Sequence, residues 1–348
     1  MKTLKLFAAA AAMFVSWGAF AAPPPVAVYD SAAKALTFYN DDADHSGVGK
    51  TVYSLSEDAK RDEATTRPAW YDIVGDVRAA VIDVSFRSYR PPHCRGWFLG
   101  MNYLERITGL ENLDVSAATN LRCMFQNCLN LKTLDLSSFD TKNVTDYYQM
   151  FLQCSKLETI YVSTKFVIKS GATGSPFLGC SKLKGRNGTA CPGAGTGLSM
   201  AWIDGRDGKT GYFTQMPVAV YNYTKNSLTF YFDSVDHSSE GRVYSVLKAE
   251  AIDPETENPE WYARSSDVTK VVFDASFRAY KPKSCASWFY EFTKLLAFEG
   301  LNYLDVSQVT DFSWMFEKSN GILALDLSTF DMSSAVVTTS MFDGCSKL

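Results

Sequence analysis

The sequence predicts an α/β repeat fold: a solenoid of short strand plus short helix turns, built as two tandem modules, each with a β-rich N-terminal cap. Three observations carry this. The phrase Met-Phe-x-x-Cys-x-x-Leu recurs in recognisable form five times, at Met124 to Leu131, Met150 to Leu157, Pro176 to Leu183, Met315 to Ile322 and Met341 to Leu348. Its starts at 124, 150 and 176 are 26 residues apart, as are 315 and 341. A larger repeat lies over the first: Pro25 to Tyr29 returns as Pro217 to Tyr221, Ser85-Phe86-Arg87 as Ser276-Phe277-Arg278, and Met150 as Met341, at offsets of 191 or 192. A fixed period of this size marks units that bury an apolar edge against the next unit.

Taken in order, residues 1–22 read as a cleavable signal peptide. Lys2 and Lys5 precede an apolar stretch from Leu6 to Phe20, and Ala19-Phe20-Ala21 offers small residues for cleavage. That stretch is too short to span a bilayer comfortably, and Pro23-Pro24-Pro25 follows it. The expected location is therefore secreted or cell-surface. Residues 23–80 form the β-rich cap of module 1. Ala27-Val28-Tyr29, Leu36-Thr37-Phe38-Tyr39 and Val52-Tyr53-Ser54-Leu55 are aromatic and β-branched runs between Asp, Gly and Ser clusters.

Residues 81–216 are read as the repeat solenoid of module 1 with its closing segment. In the best-preserved turn, Leu134 and Leu136 alternate as in a short strand. Asn143-Val144-Thr145-Asp146 supplies helix-start oxygens, and Tyr147, Met150, Phe151, Cys154 and Leu157 fall at helical spacings of three and four. The same columns assign to the core Phe98, Leu104, Leu113, Met124, Phe125, Cys128, Leu131, Phe177, Cys180 and Leu183. Asn187-Gly188-Thr189, Ala201 to Gly205 and Gly211 to Thr214 look like the closing loop and last strand. Residues 217–271 repeat the cap, and 272–348 the solenoid, with core Phe289, Leu304, Met315, Phe316, Leu325, Met341, Phe342 and Cys345. Ser346-Lys347-Leu348 aligns with Ser155-Lys156-Leu157, so module 2 is expected to be truncated, about 59 residues short of module 1.

Residues Leu134 to Asp146, running into Met150-Phe151 and Cys154-Ser155-Lys156-Leu157, resemble the BspA-like leucine-rich repeat surface proteins, whose repeat region is also known as DUF285. The closing segment is similar as well. Tyr147-Tyr148-Gln149, Pro176 and Ser319 depart from the family pattern. The resemblance implies leucine-rich-repeat-like turns and a bacterial surface or secreted protein. It also implies adhesion to host or neighbouring-cell proteins, and no catalytic residues.

The remaining constellations have plain readings. At a formal charge of −4 there is no basic surplus for nucleic acid or acidic membranes. No cofactor or metal is expected, since no CxxC occurs and no His lies at ligand spacing from the cysteines. Cys128, Cys154 and Cys180 share one column and read as small buried side chains; Ser319 stands in it once. The disulfide states of Cys94, Cys123, Cys191 and Cys285 stay open. Asp41-Asp42-Ala43-Asp44-His45 and Asp233 to His237 fit polar hairpin tips better than a cation site, neither following an EF-hand loop. Asp114, Asp135, Asp305 and Asp326 recur at one column, which marks an architectural position and argues against an enzyme. Trp70-Tyr71 and Trp261-Tyr262 are the candidate ligand-binding aromatics, able to stack on sugars or to pack the cap. Protein-binding is thus the leading expectation; carbohydrate or matrix binding through those aromatics, and a structural spacer, are the alternatives.

Overall fold

A computed structural model of the protein describes residues 24–56, 67–194, 197–233 and 235–348. The expected signal peptide lies outside the described residues, as do residues 57–66 of the first cap. What the chain forms is β-rich: three sheets and one complete α-helix among the described residues, α1 (Val246–Ala251), divided between two sheet-rich modules.

In the first module β1 (Val26–Asp30) pairs antiparallel with β2 (Ala35–Tyr39) and β3 (Lys50–Ser54). Parallel strands β4 (Ala79–Ile82) and β5 (Arg106–Thr108) extend this sheet beyond β2, giving the order β3-β1-β2-β4-β5. A parallel sheet follows, β6 (Thr133–Leu136), β7 (Thr159–Val162) and β8 (Phe213–Gln215). The second module repeats the first sheet with β9 (Val218–Asn222), β10 (Ser227–Tyr231), β11 (Arg242–Ser245), β12 (Lys270–Phe273) and β13 (Ala297–Glu299), in the order β11-β9-β10-β12-β13. Each cap is therefore continuous with the strands that follow it, through hydrogen-bonded neighbours.

The expected α/β solenoid is overturned by the residues that were to form its helices. Tyr147 to Leu157 is a run of tight turns. Backbone pairing explains why. Met124, Gln126 and Cys128 donate their N–H groups three residues back, to Leu121, Cys123 and Phe125, each at 3.2 Å. The alternate residues Leu121, Cys123, Phe125 and Asn127 instead donate to Asp146, Tyr148, Met150 and Leu152, at 2.8–2.9 Å. An α-helix would use all these donors internally. Here every second one is spent on the neighbouring segment. The geometry needs left-handed backbone at regular points, found at Cys123, Asn127, Gln149 and Gln153 with φ between 56° and 62°. Side chains spaced by three and four then share a face without a helix.

Interior columns stack directly. Phe98, Phe125, Phe151 and Phe177 form a ladder with centroids 5.3, 5.8 and 5.8 Å apart and planes within 11° of parallel. Tyr212 and Phe213 close its far end edge-on. At the near end, Phe38 of β2 stacks on Trp97 at 5.2 Å. The second module has Phe289, Phe316 and Phe342 in line at 5.6 and 5.4 Å. Each buried Phe contributes about 2–3 kcal/mol of transfer free energy, with a smaller addition from ring stacking. Met124, Met150, Leu131, Leu157, Leu104, Leu113, Leu134, Leu136, Leu183, Leu304, Met315 and Met341 are buried beside the ladders. Phe342 is exposed, and Leu325 and Cys345 are half-buried.

Candidate functional site

The sequence-selected aromatics fall into two groups. Trp70 and Trp261 are fully buried, and their indole N–H groups donate to the carbonyls of Trp97 and Trp288 at 2.8 and 2.7 Å. They seal the cap against the first turn and present no face to a ligand. Tyr71 and Tyr262 are half-buried. Tyr262 stacks on Tyr290 at 5.7 Å and donates to Glu291, which also pairs with Lys318 at 3.4 Å.

Recurrent aspartates have a corner-forming job. Asp114, Asp135, Asp305 and Asp326 each accept the backbone N–H of the serine two residues on, at 2.9–3.0 Å. Asp146 and Asp311 do the same at a second corner, for Tyr148 and Ser313. The acidic tips are likewise occupied. Asp41 takes His45 Nε2 at 2.7 Å, a contact that holds its carboxyl below the usual range. His237 is clamped between Glu240 at 2.6 Å and Asp233 at 3.0 Å and stacks on Tyr231 at 3.7 Å. Burial acts to lower the His237 pKa, but the two carboxylates outweigh it and the net shift is upward. Among the described residues no group of three or more His, Cys, Asp and Glu side chains is arranged to hold a metal ion.

All eight cysteines are thiols. Four of them, all in the repeat column, donate to the phenylalanine carbonyl of the preceding turn: Cys128 to Phe98, Cys154 to Phe125, Cys180 to Phe151 and Cys345 to Phe316, at 2.9–3.2 Å. Ser319 makes the same bond to Phe289 at 2.5 Å. The column thus requires a small donor, which accounts for serine replacing cysteine there. Burial pushes the Cys128 and Cys154 thiols well up, so they are poor nucleophiles.

One large concave feature among the described residues combines residues from both modules and could not be read from either alone. It is a cleft of about 1320 Å³. Module 1 contributes Ile107 to Glu111, Asp135, Ser163 to Lys165, Gln215 and Met216; module 2 contributes Val235 to Ser238, Val243, Leu247, Lys248, Glu257, Asn258 and Glu260. Lys248 of α1 bridges its walls, at 3.0 Å from Glu111 and 3.2 Å from Glu260. Thr164 donates to Asp236 at 3.4 Å, and Arg186 lies 4.9 Å over the Phe232 ring. Burial raises the Asp135 carboxyl above the usual range. Beyond the lining, Glu250 of α1 is pushed by burial to about 7, and its carboxylate accepts from the Tyr280 hydroxyl and, at 2.9 Å, from the Lys283 N–H.

Residues 94–173 and 273–348 match the model of a family described as Mycoplasma protein of unknown function, DUF285. No curated protein and no solved structure matches the chain. The two matched segments support the DUF285 family for the repeat regions of this chain.

Proposed function

We propose that this chain is a non-enzymatic, exported BspA-like surface protein that binds macromolecules of a host or neighbouring cell, chiefly proteins. The observation that carries the reading is the inter-module cleft. At about 1320 Å³ it exceeds the 300–1,000 Å³ typical of small-molecule pockets, and its walls mix apolar and charged residues as a macromolecular seat does. A non-enzymatic role is supported by the recurrent aspartates, whose oxygens cap backbone corners turn after turn. Export rests on Lys2, Lys5 and the apolar run to Phe20.

Carbohydrate binding is the second reading, and it moves from the tryptophans to Tyr262 and Tyr290, the half-buried pair beside Glu291 and Lys318. Protein, extracellular-matrix and glycan arrays probed with the full chain test both. Retention on protein or matrix spots, unaffected by Tyr262→Ala, supports the first reading. Glycan retention lost in Tyr262→Ala supports the second, and no retention on any array overturns both in favour of a spacer.

A further inference from the structure

We infer that the inter-module cleft seats an extended peptide segment that alternates basic and apolar side chains. This inference rests on the protein-binding reading above and names the chemistry of the partner. The lining carries the carboxylates of Glu111, Asp135, Asp236, Glu257 and Glu260 against the amines of Lys165 and Lys248. Lys248 is already held between Glu111 and Glu260. Asp135 and Glu257 take part in no ion pair among the described residues, so acidic groups remain for a cationic ligand. Burial of Asp135 makes its charge costly, and a cation brought beside it would offset that cost.

Gln215 is an independent sign of a missing partner. It is 6% exposed, lines the cleft, and its side-chain carbonyl oxygen has no hydrogen-bond donor. A buried acceptor left without a donor is destabilising, because it has given up its hydrogen bonds to water. A ligand rich in N–H groups would remove that cost. Apolar lining comes from Ile107, Leu110, Met216, Val243, Leu247 and Ile252, enough to accept side chains between the cationic ones.

An extended conformation follows from the strands at the cleft. Gln215 belongs to β8 and Val243 to β11, each at the end of its sheet's strand order; Phe213 of β8 is bridged on its outer side to Ile203, which leaves the Gln215 end of that strand and β11 for an added strand. Outer strands offer backbone groups to an added strand, whose alternate side chains then face opposite ways.

Fluorescence anisotropy with the full chain tests this, using a labelled peptide of four Lys-Val pairs and its Glu-Val counterpart. The basic peptide should bind at least about tenfold more tightly than the acidic one. Asp135→Asn combined with Glu257→Gln should weaken it about tenfold, as should Val243→Lys, which leaves the acids in place. Unchanged melting temperatures keep these results about binding. Equal affinity for the two peptides, no binding of either, or wild-type affinity in both variants would overturn the inference. Array ligands retained by a protein that ignores the basic peptide would sink the cleft assignment alone, whereas basic-peptide binding lost in both variants supports the assignment whatever the arrays show.

Discussion

The Cys154 thiol donates to the Phe125 carbonyl at 3.0 Å, joining two residues 29 apart in sequence and one turn apart in space. Phe125 and Phe151 lie beside it with rings 4° from parallel. The pairing couples an apolar ladder to a ladder of small donors, and each turn supplies one member of each. Cys154→Ser should therefore melt within a few degrees of the wild type, as Ser319 already shows the hydroxyl fits. Cys154→Ala should cost about 1–3 kcal/mol, through the lost bond and the lost volume. Thermal melts of both variants check this, and an alanine variant as stable as the serine variant would contradict it.

Removing a ring from the ladder should cost more than removing a donor. Phe151 is buried between Phe125 and Phe177, each 5.8 Å away. Phe151→Ala should destabilise by about 3–5 kcal/mol. The exposed Phe342, in contact with one ring only, should lose clearly less on the same change. Urea unfolding of the two variants gives the comparison.

Left-handed backbone at non-glycine residues is a local cost that glycine would remove. Gln153 is exposed, with φ of 61°. Gln153→Gly should raise stability by about 1 kcal/mol, and Gln153→Val should lower it, because a β-branched side chain fits that conformation worst. Differential scanning calorimetry reads both directions.

These conformations also show what was legible beforehand. The interior columns were, since Met124, Met150 and Met315 recur in register with their Phe neighbours and all are buried. Their secondary structure was not: spacings of three and four describe a helix and these alternating turns equally well. The distinguishing signal was faint. Gly96, Gly100, Gly179 and Gly344 are left-handed glycines in the turn columns that elsewhere hold Cys123, Asn127, Gln153 and Lys318. The hydrogen-bonding role of the cysteine column was hinted at by Ser319 alone. The cleft left no sequence trace, because Gln215, Asp135 and Val243 converge on it only after both modules have folded.

Stability should favour mildly acidic solution. Burial raises Glu250 from 4.5 to about 7, against the opposing Tyr280 hydroxyl, Lys283 amide and Lys283 charge. Tyr161 and Tyr280 sit in the field of the same carboxylate, as does Cys285. The folded state thus keeps a proton that the unfolded chain releases from about pH 4.5 upward, so this contribution is complete below that pH and lost as pH rises through about 7. His237, raised above its ordinary 6.5, acts in the same direction at higher pH. Asp41, Asp76 and Glu240, held low by their partners, set the acid limit. The melting temperature should fall between pH 5 and pH 8, and Glu250→Gln should flatten that slope. A wild-type melting temperature that rises over this range would count against the assignment.

Whether the amides of one turn bond to the next is open to direct observation by NMR couplings across hydrogen bonds. The Phe125 nitrogen should couple to the Met150 carbonyl carbon, and the Cys123 nitrogen to that of Tyr148. Couplings from Phe125 to Leu121 instead, four residues back, would show a helix and contradict the alternating-donor architecture.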